Sequence, residues 1–149
     1  MATRNQKAKK DNRPFAMVYR VMGQSAAYRS LSFVAQGVLM QLHLQYNGKN
    51  NGDLSATATM ALDWGIRSDN TLRKALKELE GGGWIINTRL SRFDKHVPQC
   101  NLWALSWYAI DECPGKKLDV GPTRAPPRTI SSLVNSISPV AKSADVRPQ

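Results

Sequence analysis

A chain of 149 residues with 42% apolar residues can fill one ordinary core but is short for two, since independent domains usually need about 100 residues or more. Its 21 Lys and Arg against 11 Asp and Glu leave a formal charge of +10, which attracts polyanions and puts nucleic acid ahead of an anionic membrane surface as a partner. No apolar run approaches the ~20 residues that cross a bilayer, and no apolar stretch precedes Phe15 as a secretory signal would require, so a soluble intracellular protein with no membrane partner is expected.

The charge gathers at the two ends. Residues 1–13 hold Arg4, Lys7, Lys9, Lys10 and Arg13 against Asp11, a net +4, and residues 114–149 again carry +4, leaving +2 for the stretch between. The expected organisation is a basic flexible arm over 1–13, a folded domain over 14–113 and a basic, mostly disordered tail over 114–149.

From Pro14 to Leu31 the sequence reads as a lead-in segment with one short helix. In 31–46, Ala35, Val38, Leu39, Leu42 and Tyr46 recur at helical spacing behind Ser32, a good N-cap, which predicts a core helix. Asn47-Gly48-Lys49-Asn50-Asn51-Gly52 then reads as a loop, because Gly and Asn accept left-handed backbone. Asp53 and Leu54 suit a very short strand. Residues 57–64 suit a short helix with Ala58, Ala61 and Leu62 on one side, ended by Gly65.

The strongest periodicity follows Ser68, a second N-cap. Leu72, Ala75, Leu76 and Leu79 fall on one helical face and Asn70, Arg73, Lys74 and Lys77 on the other, until Gly81-Gly82-Gly83 stops the helix. Residues 84–90 alternate as a strand with Trp84, Ile86 and Thr88 on one side, and residues 101–110 form a second strand carrying Trp103, Leu105 and Trp107. The two make a hairpin with a basic tip. Beyond Asp111, prolines multiply and aromatic residues vanish, so deleting 122–149 is expected to leave the fold intact. The one periodic stretch there is Ile130, Leu133, Val134 and Ile137, a short amphipathic segment that needs something to dock on and could take a protein partner through 129–137.

The order helix, short strand, helix, turn, helix, strand, basic loop, strand predicts a mainly α fold with a small antiparallel β hairpin, an α+β winged helix-turn-helix. In that arrangement a braced helix is held outward, where it fits the ~12 Å major groove of double-stranded DNA, and the hairpin, or wing, lies along the backbone. Arg67, Ser68, Asn70, Thr71 and Lys74 are then candidates at the start of the recognition helix, with Asn70 suited to adenine and Arg67 or Lys74 to guanine. Arg73 and Lys77 suit phosphates. Arg89, Arg92, Lys95 and His96 are the wing's candidates, and Arg4, Lys7, Lys9, Lys10 and Arg13 those of the arm.

Ser25-Ala26-Ala27-Tyr28-Arg29-Ser30-Leu31, the loop Gln45-Tyr46-Asn47-Gly48-Lys49-Asn50-Asn51-Gly52-Asp53-Leu54, the helix Thr71-Leu72-Arg73-Lys74-Ala75-Leu76-Lys77-Glu78-Leu79 and Gly83-Trp84-Ile85 together resemble the winged helix-turn-helix DNA-binding proteins of proteobacterial phages, plasmids and integrated mobile elements. The resemblance runs from Phe15 to Asp119, and its most distinctive part is the loop. It implies a regulator of transcription or replication in the cytoplasm of a bacterial or phage-infected cell. Arg67 departs from the usual pattern as an additional residue before Ser68.

A protein-interaction module, a host-directed adaptor or inhibitor on the same scaffold, is the competing reading, because fold does not decide function. A homodimer stays open. An enzyme is not expected: two His and eleven scattered acids assemble no triad, P-loop or paired carboxylates. Cys100 and Cys113 form no C-x-x-C pair, and His43 and His96 are far apart in sequence, so two free thiols are expected and no metal or cofactor.

Overall fold

The computed structural model describes residues 10–136. The fold is mixed α+β: six helices and a small antiparallel sheet region among the described residues. Helices α1 (Arg20–Gly23) and α2 (Ala26–Arg29) are single turns, so the lead-in segment contains two short helices rather than one. They precede the core helix α3 (Phe33–Gln45), the short α4 (Ala58–Asp63) and α5 (Asp69–Gly81).

Side-chain capping fixes where these helices begin. Ser32, Thr57 and Ser68 each accept a hydrogen bond from the backbone N–H three residues on, at Ala35, Met60 and Thr71, which satisfies one otherwise orphaned donor at each start. Apolar spacing then decides which face turns inward. Leu72, Ala75, Leu76 and Leu79 of α5 are buried, as are Ala35, Val38, Leu39 and Leu42 of α3, and the two helices pack against each other. Leu62 departs from expectation: it is exposed, and only Ala61 of α4 is buried.

The hairpin has two ladders. Strand β1 (Ile85–Arg89) pairs antiparallel with β4 (Leu102–Leu105), and beyond an irregularity β2 (Arg92–Asp94) pairs with β3 (Val97–Gln99). Leu54 bridges to Trp103 on the other side of β4. At the tip, Lys95 and His96 have φ of 48° and 67°, the paired left-handed conformations of a two-residue type I′ turn, whose twist matches that of the strands.

Strand alternation fails as a guide to burial here. Trp84, Ile85, Thr88 and Arg89 are all buried and Ile86 is only half-buried, because the register shifts between Asn87 and Arg89 and turns the end of β1 inward. Every residue from Leu102 to Trp107 is buried. The chain around them explains why. Asn51 Nδ2 donates to the carbonyls of Leu105, Tyr108 and Ala109 at 2.9–3.2 Å, and its Oδ1 accepts from Leu105 N–H at 2.7 Å.

The tail closes what remains, contrary to the expectation that 114–149 is mostly disordered. Asp119 N–H donates to Thr88 O at 2.7 Å along the open edge of β1, Thr123 N–H to Ile110 O at 2.9 Å and Arg128 N–H to Ser106 O at 2.9 Å. Helix α6 (Ile130–Val134), capped by Thr129, then packs on α1 and α2 with Leu133 fully buried. Residues 114–136 therefore belong to the folded unit, and the segment expected to seek a protein partner finds its dock on its own chain; Ile137 lies outside the described residues. The packing of Leu133 and the bonds from Thr123 and Arg128 argue against the expectation that deleting 122–149 leaves the fold intact. Among the described residues no helix is long and apolar enough to cross a membrane.

Candidate nucleic-acid interface

Helix α5 presents its polar face because its apolar one is fully used. Arg67, Asn70, Thr71, Arg73, Lys74 and Lys77 are exposed, and Ser68 is exposed while its hydroxyl caps the helix. Arg73, Lys74 and Lys77 line one cleft with Leu76, Glu80, Asn101 and Trp103, between α5 and the base of the hairpin. Asn101 is a member that residue patterning did not single out; only its place at the start of the second strand hinted at it.

Three acids qualify the electrostatics of this face. Asp69 forms an i,i+4 pair with Arg73 at 2.9 Å, both side chains at least half exposed; such a pair is worth a few tenths of a kcal/mol and yields readily to a stronger anion. Glu78 is withdrawn altogether. Its carboxylate accepts from Ser32 N–H and Ser32 Oγ, both at 2.7 Å, so it ties α5 to the cap of α3 instead of neutralising the lysines. Glu80 stays on the rim of the cleft.

The candidates on the hairpin divide. Lys95 and His96 are exposed at the turn. Arg89 is only 6% exposed, and its guanidinium donates to Cys100 O through Nε (3.1 Å) and Nη2 (2.8 Å) and to Lys116 O through Nη1 (2.9 Å). That corrects its reading as a phosphate contact: it is a brace between hairpin and tail. Arg92 is likewise engaged, with Asp119 Oδ1 and Lys117 O, both at 2.7 Å, and Lys117 pairs with Asp94. The backbone N–H of Leu90 and the guanidinium of Arg92 hold the Asp119 carboxyl below its usual range, and Lys117 does the same for Asp94.

In the arm, Lys10 is exposed and Arg13 folds onto Asp11, its Nε donating to both carboxylate oxygens at 2.9–3.0 Å. Arg4, Lys7 and Lys9 lie outside the described residues. The two thiols, Cys100 and Cys113, are free and half-buried, and burial pushes the Cys113 thiol up. His43 sits in the core, edge-on to Trp107 with ring centres 5.7 Å apart. No protein-family model, curated protein or solved structure matches this chain.

Proposed function

We propose that the chain is a DNA-binding protein of the winged helix-turn-helix kind, acting in transcription or replication control of a mobile element. The observation that carries this is the outward face of α5, where Asn70, Lys74 and Lys77 are exposed while Glu78 is drawn away to Ser32. On this reading the early residues of α5 (Arg67, Asn70, Thr71, Lys74) meet base edges in the major groove. Arg73 and Lys77 hold phosphates beside the Asn101 cleft, and Lys95 and His96 touch the adjoining backbone. Arg89 takes no part, because it is buried with its guanidinium donating to Cys100 and Lys116; Arg92, exposed and paired with Asp119 at the surface, stays available to a phosphate as Arg73 does.

The test is binding of labelled duplex selected from a random pool, followed by salt titration. About six phosphate contacts weaken affinity roughly 10³-fold between 50 and 200 mM salt. Lys74→Ala or Asn70→Ala costs the selected duplex about 1–3 kcal/mol and relaxes one base position, whereas Lys77→Ala weakens selected and random duplex alike. A chain that selects no sequence and shows no salt dependence would refute the reading.

A further inference from the structure

Helix α3 carries no Asp, Glu, Lys or Arg over its 13 residues, in a chain of net charge +10. It is also apolar on more of its circumference than this fold uses. Opposite its buried side, Phe33 is 88% exposed, Met40 40% and Leu44 58%, with exposed Gly37 between them. Their spacing of four, three and four residues is that of a helix–helix seam. A glycine inside a helix costs about 0.5–1 kcal/mol relative to alanine. A Cβ on Gly37 would meet nothing within 4 Å, so no contact within this chain requires its absence.

We infer that this stripe is the contact between two copies of the chain, with α3 crossing α3 of the second copy antiparallel about a two-fold axis. Reversed upon itself, the stripe sets Phe33 opposite Leu44 and Gly37 opposite Met40, so the smallest residue faces a long flexible one at both symmetry-related points. A parallel pairing would set glycine on glycine and leave a hole. An anionic partner gains nothing from this uncharged helix, whereas a second copy of the same apolar stripe does, and placing the contact on an uncharged face keeps the mutual repulsion of two +10 chains at its smallest.

The area suffices. Phe15 and Met17 border Leu44, and Met17 and Val18 border Met40, which extends the patch along the lead-in segment. Large apolar side chains of about 150–250 Å² each, at the exposures given and with Phe15 at 88%, Met17 at 49% and Val18 at 53%, present on the order of 700 Å² per copy. A standard interface buries about 800 Å² per partner. Because α5 packs on the buried side of α3, such pairing leaves the cationic face of α5 uncovered, and the inference does not depend on DNA binding.

The experiment is light scattering and sedimentation of the full chain up to about 200 µM in moderate salt. A mass twice the 16.5 kDa of one chain is expected. Met40→Glu with Leu44→Glu weakens association by about 30-fold or more, while Phe93→Glu, on the equally exposed hairpin, leaves it unchanged. Gly37→Gln adds atoms only to open space in the single chain, so it raises the melting temperature of the separated chain while weakening association; this variant decides the matter should the double variant fold poorly. A single chain at the highest concentration, a dimer indifferent to Gly37→Gln, or a dimer dispersed by Phe93→Glu would each overturn the inference.

Discussion

Replacing Leu133 by Ala tests whether the C-terminal segment is part of the core. Leu133 has no exposed surface and joins the same apolar cluster as Trp84, Trp107 and Met22. Truncating a buried Leu costs ~2–5 kcal/mol through lost transfer energy and the cavity left behind. Where the segment releases before the chain unfolds, the loss shows first as local opening of the tail. Two readouts separate these regimes. At roughly 3 °C per kcal/mol for a domain of this size, Leu133→Ala in the full chain lowers the melting temperature by about 6 °C or more. If release comes first, trypsin cuts at Arg124 and Arg128 at least about tenfold faster in the variant, because opening scales with lost docking energy. The reasoning fails if the variant melts within about 1 °C of the parent and is cleaved at the same rate.

Asn51→Ala strands the carbonyls of Leu105, Tyr108 and Ala109 and the Leu105 N–H in the interior, so denaturant titration shows a loss of about 2–4 kcal/mol. Arg89→Ala removes the brace to Cys100 and Lys116, lowering the melting temperature while leaving the salt slope of the proposed DNA binding unchanged; a shallower slope would return Arg89 to the proposed interface. His43 gives a pH dependence with a defined sign. Burial lowers its pKa below the ordinary 6.5, so as pH falls through that value the unfolded chain takes up a proton that the folded chain refuses, and stability declines by at most about 1.4 kcal/mol per pH unit. Melting curves between pH 7.5 and 5.5 show that decline in the parent, and His43→Phe, which keeps an aromatic ring beside Trp107, flattens it.

Local chemistry made α3, α4 and α5 legible in the sequence. Apolar spacing chose the buried faces of α3 and α5, and Ser32 and Ser68 marked their first turns. What escaped depends on partners remote in sequence. Asn51 reads as a turn residue because its neighbours are Asn and Gly, yet its side chain serves groups 54 to 58 positions away. Glu78 looks like one more surface charge until Ser32, 46 residues earlier, comes beside it. Arg89 is misassigned by simple alternation, since the register shift after Asn87 turns it inward and its second acceptor lies in the tail. The tail itself was misjudged on composition. Proline-rich chain lacks donors for ladders, but it can still lie extended over a sheet edge, and the Ile130, Leu133 and Val134 spacing was the cue that it ends in something to bury.

The seal that completes the interior is the last described piece of the chain to leave the ribosome. Until Asp119 emerges β1 keeps a bare edge, and until Leu133 emerges the tryptophan wall lacks its plug, so a nascent or prematurely terminated chain passes through a sticky, unclosed stage. Nonsense changes or frameshifts between about codons 119 and 133 therefore act as loss-of-abundance alleles, cleared by proteolysis, rather than as trimmed but working versions.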